Sequence, residues 1–142
     1  MRYLGLDFGT KTIGIAISDR TNLISSSYKL IEYKNDDYSN AVNELINIVN
    51  DNNITCIVLG LPKNMNNTLG NRAEETIKFK EFIQSKLNVE IILEDERLTT
   101  REAHKTLIEA NMSRKKRKKN VDKVAASFIL QNYLDRLNRK GN

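Results

Sequence analysis

A chain of 142 residues, 39% hydrophobic and 29% charged, can bury one core, and the expectation is a single domain over residues 1–142. No apolar run reaches the ~18 residues that crossing a bilayer takes, and the N-terminus lacks a charged-then-apolar signal pattern, so a cytoplasmic protein with no membrane partner is expected. The lone cysteine, Cys56, excludes a disulfide framework and a thiolate metal cage, while a net charge of +5 mildly favours an acidic partner such as nucleic acid.

Arg2 to Phe8 and Lys11 to Ser18 read as strands joined by a short turn at Gly9-Thr10, the second alternating through Ile13, Ile15 and Ile17. A third strand is expected between Leu23 and Tyr33. From Tyr38 to Asn50 the period changes, and Ala41, Val42, Leu45, Ile46 and Val49 fall at helical spacing. Ile54 to Leu59 is a continuous apolar run, the pattern of a strand covered on both faces. The stretch from Gly60 to Gly70 is rich in turn formers, and Asn71 with Glu74 resembles a helix capping signal ahead of Ile77, Phe79, Phe82, Ile83 and Leu87. Val89 to Leu93 is a further short strand ending in Glu94-Asp95-Glu96-Arg97. Thr99 with Glu102 opens another helix, and Val121, Val124, Ala125, Phe128, Ile129 and Tyr133 mark a last one. This order predicts an α/β protein with a five-stranded mixed sheet, an antiparallel three-strand meander plus parallel strands, and helices on both faces.

Asp7 stands inside the first strand just before its turn, where a buried and unpartnered carboxylate would cost several kcal/mol. Asp95 and Glu96 end the last strand, and Asp122 begins the last helix. In open α/β sheets the carboxyl ends of parallel strands face one crevice, the usual ligand position. Ala125 and Ala126 are small enough to let the last helix approach the sheet and bring Asp122 there. Carboxylates from separate elements, with almost no histidine and no cysteine ligand, suit Mg²⁺ or Mn²⁺, as one or two ions, better than zinc. Such ions activate water in phosphodiester cleavage. The plainer reading is that strand-end acids cap helices or pair with arginines; on it Glu94 faces solvent and His104 is an ordinary helix residue.

Arg114-Lys115-Lys116-Arg117-Lys118-Lys119 is an unbroken basic block. Read alone it is either a solvated linker or a phosphate-gripping segment, and its closeness to Asp122 favours the latter. Lys63 and Arg72, flanking the Asn-rich loop, would add phosphate contacts or simply solubilise a turn.

The stretches LDFGTKTIGIAISD, GLPKNMNNTLGNRAEET, EDERLTTREAH, SRKKRKK and NVDKVAASFILQNYLD together resemble the YqgF (RuvX) family over almost the whole chain. The resemblance implies an RNase H-like fold of the RuvC-resolvase type. It also implies a nuclease, assigned to the 5′ end of pre-16S ribosomal RNA and also discussed as a Holliday junction resolvase. Carried over by motif, Asp7, Glu96 and Asp122 are the catalytic and metal-binding acids, with Asp95 in reserve. Lys11, Arg72, Arg97, Arg114, Lys115, Lys116, Arg117, Lys118 and Lys119 are the nucleic-acid contacts. The partners implied are nucleic acid, RNA before branched DNA, and a ribosome precursor, with the protein a monomer or a homodimer. The strand ending Val58-Leu59-Gly60 carries no acid where RuvC-type resolvases place one, so the second ligand comes from Asp95 or Glu96. Asp7-Phe8-Gly9-Thr10 followed by Gly14 also resembles the first phosphate loop of actin-like ATPases, which clamp ATP between two domains. A third alternative is a non-catalytic RNA-binding assembly factor.

Overall fold

The computed structural model describes residues 2–34, 37–62, 70–95 and 114–140, with side chains of the last segment described over 124–139. Five strands, β1 (Arg2–Phe8), β2 (Thr12–Ser18), β3 (Ser25–Glu32), β4 (Ile54–Leu61) and β5 (Glu90–Asp95), form one sheet in the order β3-β2-β1-β4-β5. The pairs β1–β2 and β2–β3 are antiparallel, whereas β1–β4 and β4–β5 are parallel. The carboxyl ends of β1, β4 and β5 therefore open on one edge, with Phe8, Leu61 and Asp95 as their last residues. The expected meander plus parallel strands is what the sheet has.

Alternation sorts the side chains of β1 and β2 between two layers. Leu4, Leu6, Phe8, Ile13, Ile15 and Ile17 join a core with α1 (Ser39–Asp51) and α2 (Asn71–Lys86) on one face. Tyr3, Ala16, Cys56 and Val58 join Ala126, Ile129, Leu130 and Leu134 of α3 (Arg114–Lys140) on the other. Cys56 is buried, as its apolar surroundings predict.

Three boundaries differ from the expectation. The Asn71–Glu74 capping box does not form: Gly70 is the N-cap, Asn71 is the first helical residue, and the Glu74 amide donates to the Gly70 carbonyl at 3.1 Å. β4 runs on through Gly60 and Leu61 because β5 pairs with it that far. The basic block is helix, not linker: Arg and Lys are good helix formers, and α3 takes in Arg114 to Lys119 as its first turns. The helix expected from Thr99 lies outside the described residues.

Helix α3 runs antiparallel to β1. Tyr133 packs on Tyr3 with ring centroids 5.8 Å apart, and Gly5 faces Leu130 and Ala126 further up. Side-chain bonds tie the helix to the start of β3: the Ser25 amide donates to Gln131 Oε1 at 2.9 Å, and Gln131 Nε2 donates to the Leu23 carbonyl at 2.8 Å. Among the described residues no helix is long and apolar enough to cross a membrane.

Candidate active site

Asp7 pairs with Gly14 of β2 and shares the face of Tyr3 and Gly5, so it belongs to the α3 side of the sheet. Register places Gly60 beside it on β4, one step past the Leu6–Leu59 pair, and Gly60 in turn pairs with Glu94. The row across the sheet is thus Gly14, Asp7, Gly60, Glu94. Asp7 has a glycine, with no side chain, on the neighbouring strand on either side. The expectation of a buried Asp7 is corrected to a half-buried one, one residue before the end of its strand.

The helix register brings position 122 to the same level. From Gly5 to Asp7 is about 7 Å along a strand, and from Ala126 back to Asp122 is about 6 Å along a helix. Because Gly5 lies against Ala126 and the two elements are antiparallel, residue 122 of α3 sits opposite Asp7. The Arg114–Lys119 turns stand roughly 10–18 Å beyond Ala126 along the same axis. They therefore continue past the carboxyl edge of the sheet.

Asp95 is placed differently. It pairs with Leu61, and its parity is that of Leu93, which packs on the α1/α2 core. It ends β5 half-buried on the face opposite Asp7. Glu96, Arg97, Lys63 and His104 lie outside the described residues, as do the side chains of Asp122 and of Arg114 to Lys119. Among the described residues no three His, Cys, Asp or Glu side chains gather closely enough to hold a metal. Lys11 is exposed in the hairpin loop, where its carbonyl accepts the Tyr33 amide at 2.9 Å.

Arg72 is not part of a flexible turn. Its Nη2 donates to the Phe8 carbonyl at 2.7 Å, its Nη1 pairs with Glu75, and its guanidinium lies 5.6 Å from the Phe8 ring centroid. It pins the end of β1 to the start of α2.

Glu94 corrects a further expectation. It is 4% exposed instead of facing solvent, and both of its carboxylate oxygens accept bonds from the two Nη atoms of Arg136 on α3. That pairing raises the Arg136 pKa above its ordinary value. Parity alone places Glu94 on the α3 face. The identity of its cation is not readable from the sequence, because Arg136 is 42 residues away in the chain.

Among the described residues, the acids at the carboxyl edge, Asp7 and Asp95, offer carboxylate oxygens, a donor type that fits Mg²⁺ or Mn²⁺. Comparison with known proteins agrees with this architecture. A sequence profile of the RuvX family, described as a Holliday junction resolvase, matches residues 1–136. A Clostridium tetani protein named "Putative pre-16S rRNA nuclease" is 49% identical over 140 residues, covering 99% of this chain and 100% of its own length. One of the same name from Staphylococcus epidermidis is 45% identical over 135 residues, covering 94% of this chain and 95% of its own. Among solved structures, Thermus thermophilus RuvC in complex with a Holliday junction substrate superposes with a TM-score of 0.56 at 10% identity, covering 91% of this chain and 92% of that one. The fowlpox virus Holliday junction resolvase gives 0.55 at 17% identity, covering 95% and 99%. These structures establish a resolvase-type RNase H-like fold. With the profile spanning nearly all of its length, the chain belongs to the RuvX family.

Proposed function

We propose that this chain is a metal-dependent nuclease that hydrolyses phosphodiester bonds in precursor ribosomal RNA, trimming the 5′ end of pre-16S rRNA in the cytoplasm. The observation that carries the reading is the carboxylate of Asp7 in its glycine-flanked row, at the edge toward which the cation-rich turns of α3 extend. Six like charges at the positive end of a helix dipole are unfavourable for the free helix. A polyanion laid across them would offset that cost.

In this reading Asp7, Glu96 and Asp122 would hold Mg²⁺ or Mn²⁺. When bound, such ions would supply water activation and charge stabilisation for phosphodiester hydrolysis. The face of Asp95 counts against that residue and so favours Glu96, because Asp95 lies on the side of the sheet away from Asp7. The chain's own part is to fix the carboxylates, through the rigid central strand β1 and the close seat of α3 on Gly5, and to draw the phosphate backbone in with Arg114 to Lys119. Lys11 at the hairpin tip and Arg97 are further phosphate contacts.

A second reading, resolution of four-way DNA junctions, is favoured by the family profile's description and by the fold shared with the two resolvases. It needs a dimer that presents two sites to a two-fold substrate. The deciding experiment incubates a labelled pre-16S 5′ leader and a four-way junction with the protein and Mg²⁺ or Mn²⁺, beside Asp7→Asn. RNA cleavage lost in the variant supports the proposal. Junction cleavage alone, by a dimer, moves the assignment to the second reading. No cleavage of either substrate despite salt-sensitive RNA binding leaves an assembly factor.

A further inference from the structure

On the face of the sheet opposite Asp7, a cavity of about 250 Å³ opens at the same edge. Its walls are aromatic: Phe8, the residue directly after Asp7, with Tyr33 and Tyr38. Phe8 stacks on Phe79 at 4.2 Å and lies parallel to Tyr33 at 6.1 Å, while Tyr38 meets Phe8, Tyr33 and Phe79 edge-on at 5.3–5.9 Å. The cluster is held rigidly, since the Tyr33 hydroxyl donates to the Gly9 carbonyl and Arg72 bonds the Phe8 carbonyl. Polar groups stand at its rim. Thr10 and Lys78 are exposed, and Arg72 keeps 37% of its side chain in solvent while paired with Glu75.

Phe8 and Tyr33 are buried behind the cleft, and Tyr38 is the half-buried ring at its mouth; an open ring with a polar and cationic rim is the composition of a nucleic-acid stacking platform. The size limits the guest, because pockets for drug-sized ligands run about 300–1,000 Å³ and this one is smaller. It suits one flat ring system. Resting on the nucleic-acid reading above, we propose that this cleft takes a single unpaired nucleobase from the strand being acted on. The adjoining phosphate lies on Lys78 and Arg72, and the Glu75 carboxylate and Thr10 hydroxyl bond the edge of the base. The strand then crosses the carboxyl edge with one nucleotide on the Phe8 side and its neighbours on the Asp7 side. Base-paired nucleic acid is excluded from the cleft, since a base inside a duplex cannot enter without leaving its stack.

The test uses the full chain with metal chelated so that the strand stays intact. Affinities for a short single-stranded RNA, a DNA of the same sequence and a duplex are measured by fluorescence anisotropy, with one abasic position moved along the strand. For the wild type, one abasic position costs roughly ten-fold, the effect of removing one base from its stack. Tyr38→Leu costs about the same on the intact strand and makes that abasic position silent. Lys78→Glu, an exposed change that leaves the core untouched, weakens binding several-fold and keeps the wild-type melting temperature. As a readout independent of any variant, a 5-iodouridine-substituted strand crosslinks on irradiation to the peptide holding Tyr33 and Tyr38. RNA and DNA binding alike would show that the base alone is read, and RNA alone that the 2′-hydroxyl contributes. Single-strand binding with a flat abasic scan, unchanged variants and crosslinks only elsewhere overturns the cleft while leaving the nuclease reading standing. No binding of any nucleic acid overturns both.

Discussion

Gly5 and Ala126 meet backbone to backbone. A Cβ added at Gly5 would come within 2.8 Å of the Ala126 carbonyl oxygen and 2.7 Å of Leu130 Cβ, so the approach of α3 to β1 leaves no room for a side chain at position 5. This close seat fixes residue 122 relative to Asp7. Gly5→Ala pushes the helix outward at the backbone, where no rotamer change relieves the clash, and the expected loss is about 1–3 kcal/mol of stability. Activity should fall by more than the folded fraction does, because the shift would open the proposed acid site. Urea titration beside cleavage rates measured well below the midpoint separates the two effects.

The Glu94–Arg136 pair should be unequal under substitution. Arg136→Met leaves a carboxylate with a 5% exposed side chain and no cation, while Glu94→Gln leaves an arginine that is 48% exposed and can turn to water. Breaking a fully buried pair costs ~3–5 kcal/mol, and the open side of Arg136 reduces this to about 2 kcal/mol for Arg136→Met and about 1 kcal/mol for Glu94→Gln. A double-mutant cycle by chemical denaturation checks the order; equal costs would mean that the carboxylate is not desolvated.

The Gly5–Ala126 seat and the Glu94–Arg136 pair mark what local pattern can and cannot disclose. Ile13, Ile15 and Ile17 alternate, and they line one face; the apolar run from Ile54 runs between two layers, as its composition predicts. The position of Asp7 at the carboxyl edge follows from its place before a tight turn. By contrast, the burial of Glu94 depends on Arg136, and nothing near Glu94 in the chain signals that partner. The face of Asp95 depends on the register of β5 against β4, which a short apolar strand with no alternation leaves open. The basic block reads as punctuation because like charges repel, yet its residues are strong helix formers and the amphipathic turns after it carry the helix back through it.

The α3 face should be sensitive to alkali. Burial, with a smaller contribution from the charge of Glu90, pushes the Cys56 thiol up to about 11 from 9.0, and burial also raises Tyr3 and Tyr133. For groups raised in the folded state, stability is complete below the unfolded pKa and is lost as pH climbs through the folded one. Stability should therefore hold to about pH 9 and fall toward pH 11. Denaturant midpoints across that range test it, and iodoacetamide at pH 8 should label Cys56 only when urea unfolds the chain.

Neutralising the basic turns should change the salt dependence more than the chemistry. With Arg114 to Lys119 replaced by Gln, RNA affinity at low salt drops and the slope of log K against log salt flattens by several units, about 0.7 for each single-strand phosphate that is no longer neutralised. Cleavage at saturating RNA remains within a few-fold. An unchanged slope would make the block a solvated helix end with no part in binding.

Asp95, which ends β5, and Glu96, the next residue in the sequence, give the sharpest test of the proposed site. Asp95 shares the parity of Leu93 and Leu61 on the α1/α2 face, while Asp7 stands with Gly5 on the α3 face. A carboxylate on the far side of a sheet cannot share an ion with Asp7 without breaking the β4–β5 ladder. Asp95→Asn should keep cleavage within about three-fold, whereas Glu96→Gln and Asp7→Asn should each lose a hundred-fold or more, the scale of removing an electrostatic group from a transition state. Single-turnover rates at matched Mn²⁺, with melting temperatures measured on the same preparations, decide it. If Asp95→Asn is the dead variant and Glu96→Gln the live one, the proposed ligand set is wrong, and the site must be built with the acid on the other face.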